Sequence, residues 1–153
     1  MAVHVLEREQ VVPRPVSEVF PFFADAFNLE RITPPELRFE IVTPPPIEIR
    51  AGTLIDYRLR LFGVPFGWRT LIESFEDGVS FVDRQLRGPY KRWHHTHAFE
   101  AIGEGQTRMF DRVEYEVPLG PLGEIPRALF VTRQVSRIFD YRREVIARQF
   151  GRS

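Results

Sequence analysis

The chain has 153 residues, 43% hydrophobic and 27% charged, with 21 basic side chains balancing 21 acidic ones. One globular domain over residues 1–153 is expected, long enough to bury a real core. Zero formal charge removes the global field that would draw the protein to nucleic acid or an anionic membrane. The lack of cysteine excludes disulfides, thiolate nucleophiles and Cys-based metal sites, and agrees with a reducing compartment. No basic-then-apolar leader and no run of about 18 apolar residues occurs, so a cytoplasmic protein without membrane insertion is expected. Nothing in the sequence specifies an oligomer.

From Ala2 to Val12 the residues alternate, Val3, Val5 and Val11 against His4 and Arg8, which reads as a strand. Pro13 and Pro15 stop it, and Pro15 suits the start of a helix, where its missing N–H is harmless. Val16, Val19, Phe20 and Phe23 recur at helical spacing. A second short helical turn carries Leu29 and Ile32 and closes at Thr33-Pro34-Pro35.

Beyond this point the pattern is β almost to the end. Leu37 to Thr43 reads as a strand, and Pro44-Pro45-Pro46 as a stiff connection. Thr53 to Phe62 sets Ile55, Tyr57, Leu59 and Leu61 against Asp56, Arg58 and Arg60. The stretch Gly63 to Gly67 reads as the turn of a hairpin whose return strand, Trp68 to Phe75, has Trp68, Thr70 and Ile72 inside. Strands follow at Val79 to Arg87, at Trp93 to Phe99, and at Thr107 to Val117. The last sets Met109, Asp111, Val113 and Tyr115 against Arg108, Arg112, Glu114 and Glu116.

Gly120-Pro121-Leu122-Gly123 reads as a flexible joint, and Ile125 to Phe150 as a long amphipathic helix. Its apolar side is expected to carry Ala128, Val131, Val135, Ile138, Val145 and Ile146. The basic residues Arg127, Arg133, Arg137, Arg142, Arg143 and Arg148 are read together as a solvated face. The architecture implied is α+β, an antiparallel sheet with one wet face and one face covered by the long helix.

Four stretches resemble a known superfamily: Phe81-Val82-Asp83-Arg84-Gln85, Gly88-Pro89-Tyr90, Trp93-His94-His95-Thr96-His97-Ala98-Phe99 and Met109-Phe110-Asp111-Arg112-Val113-Glu114-Tyr115. With the order of elements, they resemble the START-like (SRPBCC, Bet v 1-like) superfamily, in its bacterial polyketide cyclase/dehydrase-like or cell-division-inhibitor-like branch. The resemblance implies a helix-grip fold, in which seven curved antiparallel strands wrap a long C-terminal helix. It also implies an apolar cavity between them, used by family members to bind lipids, sterols, polyketides or other hydrophobic small molecules, and in some cases to cyclise or dehydrate them.

Taking the side opposite the charged alternation as inward, the residues expected to touch a ligand are Tyr57, Trp68, Phe81, Gln85, Trp93, His95, His97, Phe99, Asp111, Val113, Tyr115, Val135 and Ile138. Asp83 faces inward in the same reading, although Val82 and Leu86 pull the other way. The expected partner is a hydrophobic or aromatic small molecule. The alternative is a cyclase or dehydratase in which His95 or His97, beside Asp111, acts as general acid or base. Two histidines at i, i+2 and one carboxylate also form a metal-ligand pattern. That spacing is common by chance, the fold is not usually metallated, and no metal or other cofactor is expected. A protein-interaction module with an open groove is the third reading.

Overall fold

The computed structural model describes residues 3–117 and 124–151; Gly120–Gly123, the expected joint, lie outside them. Strand β1 (His4–Val12) is followed by helices α1 (Val16–Phe23) and α2 (Asn28–Ile32), a 3-10 turn (Pro35–Leu37) and a short strand β2 (Glu40–Ile41). Strands β3 (Leu54–Leu61), β4 (Val64–Glu76), β5 (Ser80–Arg87), β6 (Arg92–Ile102) and β7 (Gln106–Glu116) then lead to helix α3 (Glu124–Phe150). The seven strands form one curved antiparallel sheet in the order β1-β7-β6-β5-β4-β3-β2. Among the described residues no helix is long and apolar enough to cross a membrane.

Period-2 alternation decides which side chains the sheet buries. On β6, Trp93, His95, His97 and Phe99 are buried and the residues between them are partly exposed; on β7, Thr107, Met109, Asp111, Val113 and Tyr115 are the buried set. The two strands pair Trp93 with Tyr115, His95 with Val113, His97 with Asp111 and Phe99 with Met109. On β1 the valine side is the outer one, with Val3 and Val5 about half exposed, while Leu6 and Val12 face the core.

The hairpin turn is tighter than its glycines suggested. Phe62 and Gly63 both take positive φ, at 52° and 79°, so a two-residue turn joins Leu61 directly to Val64. Pro65 and Gly67 therefore belong to β4. They lie beyond the stretch of β4 that pairs with β5, where Pro costs no ladder bond on that side. Strand β2 is shorter than the expected span of Leu37 to Thr43. Pro35–Leu37 winds into a 3-10 turn closed by Arg38 in the left-handed region, so only Glu40 and Ile41 remain to pair with β3.

Helix α3 lies across the concave side of the sheet. Its buried line is Val135, Phe139, Arg142, Ile146 and Phe150, an i, i+4, i+7 stripe. Val131, Ile138 and Val145 flank it, half-buried, and the side chain of Ala128 lies outside the described ones. Arg142 is a correction to the solvated basic face: it is only 6% exposed. The remaining arginines of that face with described side chains, Arg133, Arg137, Arg143 and Arg148, are exposed.

Candidate functional site

Two apolar clusters fill the layer between sheet and helix. One gathers Trp68, Tyr90, Trp93, Val113, Tyr115, Val135 and Phe139; the other gathers Phe20, Phe23, Phe81, Phe99, Met109, Ile146 and Phe150. Along β6 the histidines fall between Trp93 and Phe99, along β7 Asp111 falls between Met109 and Val113, and along α3 Arg142 falls between Phe139 and Ile146. A polar belt of Asp83, His95, His97, Asp111 and Arg142 thus separates the clusters.

The belt is tightly connected. His97 Nε2 donates to Asp83 Oδ2 at 2.5 Å, and His95 Nε2 donates to Asp111 Oδ1 at 2.8 Å. Each imidazole turns its other nitrogen towards the opposite carboxylate at 3.6 Å, His95 Nδ1 to Asp83 and His97 Nδ1 to Asp111. The two rings stack with centroids 3.6 Å apart, and Phe81 covers the other face of His97 at 4.1 Å. Arg142 Nη2 donates to Asp111 Oδ1 at 3.3 Å, and its guanidinium lies over the rings of Phe23 and Phe139. Asp83 reaches the belt because β5 pairs it directly opposite His95.

Electrostatics follow from this packing. Burial pushes the His97 imidazole down, its neighbour His95 pushes it further, and the pull of Asp83 does not restore it; its pKa falls to about 4, so the ring is neutral at pH 7. Burial raises the Asp111 carboxyl, but Arg142 and the two histidines outweigh it and hold the group well below the usual carboxylate range. Asp83 is likewise raised by burial and brought below its ordinary value by His95, His97 and Arg142.

Beside the belt lies a cavity of about 130 Å³, far more than the 10–15 Å³ or so that one water needs. The inner faces of β3 to β6 form one wall, with Ile55, Tyr57, Leu59, Leu61, Trp68, Thr70, Ile72, Phe81 and Trp93. Ile138, Phe139 and Arg142 of α3 form the opposite wall, and Phe22, Phe23, Ala26, Leu29 and Ile32 of the α1–α2 segment close one end. Polar groups come from two places: Asp83, His95, His97 and Arg142 reach the cavity from the belt, and Asp25, Asn28 and Thr33 line it from the α1–α2 side. The Tyr57 hydroxyl is hydrogen-bonded to Thr70 Oγ1 at 2.8 Å. Burial, then the charge of Asp83, raises the Tyr57 hydroxyl above its ordinary pKa despite the bond to Thr70, so it stays protonated.

Of the expected ligand contacts, the cavity brings together Tyr57, Trp68, Phe81, Trp93, His95, His97 and Ile138. Phe99 packs instead against Phe20 and Phe23, and Val113 and Val135 are fully buried in the apolar cluster around the tryptophans. Asp111 stands behind the histidines. The Tyr115 hydroxyl donates to Thr132 Oγ1 at 3.3 Å, and the ring stacks on His4. The Gln85 amide ties the turn before β6, donating to Tyr90 O at 2.7 Å and accepting from Tyr90 N at 3.1 Å. A Cβ on Gly88 would come within 2.5 Å of Gln85 Oε1, so a side chain there would push the amide off its bonds to Tyr90.

Arg142 and the α1–α2 wall were missed. Arg142 carried a signal: it is the one cation on the line of Val135, Phe139, Ile146 and Phe150, and a charge on a buried stripe needs a carboxylate opposite. The α1–α2 wall gave none, because its apolar residues read equally well as core.

No family model matches the sequence, and no curated protein matches it either. Solved structures do match. An aromatase/cyclase from Streptomyces sp. R1128 superposes with a TM-score of 0.78 at 14% identity, covering 97% of this chain and 93% of that one. The fold is the helix-grip fold. A START superfamily protein from Mycobacterium smegmatis has a TM-score of 0.68 at 10% identity, covering 95% of this chain and 99% of its own. The major latex-like protein 151 of Panax ginseng has a TM-score of 0.58 at 12% identity, covering 90% and 95% respectively. At these identities the shared property is the helix-grip architecture, and the side chains of the belt have to be read on their own chemistry.

Proposed function

We propose that residues 1–153 act as one ligand-binding unit that takes up a hydrophobic or aromatic small molecule between the sheet and α3. The observation that carries this is the cavity wall, built from Tyr57, Leu59, Trp68, Ile72, Phe81 and Trp93, with polar groups supplied by the belt and by the α1–α2 segment. Mostly apolar walls with a few placed polar groups are the usual make-up of small-molecule sites. The Tyr57 hydroxyl and the belt would orient a ligand oxygen or nitrogen, while the aromatic rings supply apolar contact. A lipid or a polyketide would both suit such a wall. Native mass spectrometry of the purified protein tests the reading. A co-purified apolar molecule, lost from a Leu29→Trp variant that fills the cavity, is the expected result; an empty chain that takes up no apolar molecule from an added mixture would defeat it.

A second reading is favoured by one contact, the neutral His97 hydrogen-bonded to ionised Asp83 at the cavity wall. A neutral imidazole can take up a proton, and a cyclase or dehydratase would use it to remove one next to a carbonyl. With a pKa of about 4 His97 is a weak base, and it would have to turn a bare nitrogen to the cavity to act. His97→Gln separates the two. A binder should keep its affinity within about tenfold, one hydrogen bond's worth. An enzyme acting on a polyketone should lose about a hundredfold or more in turnover.

A further inference from the structure

We propose that Asp83, His95 and His97 form a binding site for one divalent transition-metal ion at the cavity wall, with Asp111 as the acceptor behind both imidazoles. This goes beyond the apolar-ligand reading and does not depend on it. One donor atom from each of the three residues lies within 4.8 Å of the other two. The carboxylate that completes the set is Asp83 on β5, not Asp111 on β7.

Three features favour a cation here. The first is orientation. His95 gives its Nε2 hydrogen to Asp111, which leaves Nδ1 bare and 3.6 Å from Asp83 Oδ2. That spacing is close to the ~3.4 Å edge of a tetrahedron with ligand bonds of about 2.1 Å, and a carboxylate behind a ligating imidazole is the usual way to fix its tautomer. The second is an unmet hydrogen bond. His97 Nδ1 is buried without a partner, 3.6 Å from Asp111 Oδ1. If a metal takes Nε2, the proton moves to Nδ1, where Asp111 can accept it, and Asp83 releases Nε2 by opening about 1 Å. The third is charge. Buried Asp111 is paired with the Arg142 guanidinium, while half-buried Asp83 has, among the described residues, only the two imidazoles against it, and negative charge withdrawn from water without a matching cation is costly. Two imidazoles and one carboxylate suit Zn²⁺, Co²⁺ or Fe²⁺, with the remaining positions open to the cavity.

The test is direct. Chelator-treated protein is titrated with Zn²⁺ by calorimetry and with Co²⁺ by visible absorption. One ion per chain is expected, with cobalt d–d bands and a rise in thermal stability. Asp83→Asn and His97→Gln should each weaken binding by a hundredfold or more, and Asp111→Asn by about tenfold to a hundredfold. His94→Gln, which removes the outward histidine paired with Glu73 at 3.0 Å, should change nothing. No stoichiometric binding, or binding that survives both belt substitutions or disappears with His94→Gln, would overturn the site. Should the belt variants fail to fold, cobalt-shifted ring protons of His95 and His97 in the wild-type protein decide: shifts at both rings uphold the site, and their absence overturns it.

Discussion

The two sides of the concave face obey the same alternation and meet opposite fates. On β7, Met109, Asp111, Val113 and Tyr115 point inward and are closed over by α3 and α1. On β3 and β4, Ile55, Tyr57, Leu59, Trp68, Thr70 and Ile72 point inward just as regularly and line a cavity. The difference lies in where the long helix rests. Helix α3 packs on β1, and across from β3 and β4 only Ile138, Phe139 and Arg142, among its described side chains, come to the cavity wall. Strand patterning thus says which side chains face in, and helix placement says which of those can touch a ligand.

If β7 is the packed side, breaking its buried ion pair should cost most. Asp111→Ala leaves Arg142 without its partner among apolar rings, and a loss of about 3–5 kcal/mol is expected in urea unfolding. A cost below about 1 kcal/mol would mean that solvent reaches the belt.

Acid should find the same belt. His97 is held at about 4 in the folded protein against an ordinary 6.5, so the unfolded chain binds the extra proton between those values. Stability therefore rises with pH across that window and is lost as pH falls from about 6.5 towards 4, by on the order of 3 kcal/mol. Asp83 and Asp111, both lowered, contribute stability present above the unfolded carboxylate pKa and lost only at lower pH. His97→Gln should flatten the upper part of the profile and leave the carboxylate part; an unchanged profile would contradict the neutral assignment.

Truncations of equal bulk sharpen the contrast further. Met109→Ala, on the packed side, should cost about 3–4 kcal/mol and Leu59→Ala, on the cavity side, about 2 kcal/mol. The cavity wall already lacks contact atoms on one side. The smallest effect belongs to the outer face. Arg112 reaches Glu7 at 2.7 Å and Glu114 at 3.3 Å with its side chain 41% exposed, and Arg112→Ala should change stability by no more than about 1 kcal/mol.

Much of this architecture is legible in the chain. Ile55 to Leu61, Trp93 to Phe99 and Met109 to Tyr115 alternate so regularly that their buried faces follow from spacing alone. The expected apolar side of α3, by contrast, meets the buried stripe only at Val135 and Ile146, with Val131, Ile138 and Val145 flanking it. The site is legible only in part, because its membership depends on contacts between elements. Phe99, Val113 and Val135 carry the same inward signal as Phe81, Trp93 and Ile138, yet neighbours close over the first three and a cavity opens beside the others. The inward place of Asp83 follows from its register opposite His95, a contact between strands that spacing within β5 does not give. Arg142 stood among surface arginines in the sequence, and only the helix phase set by Val135, Phe139 and Ile146 brings it inside.

The central claim is that the β3–β4 side holds a cavity that accepts an apolar molecule. Titration with the neutral fluorophore N-phenyl-1-naphthylamine measures it most directly, with wild-type protein compared against Leu29→Trp, which fills the cavity, and Val3→Trp, which adds the same ring on the outer face. The account predicts saturable enhancement at one probe per chain in the wild type, unchanged in Val3→Trp and lost in Leu29→Trp. Equal enhancement in all three proteins, or none in the wild type, would contradict it.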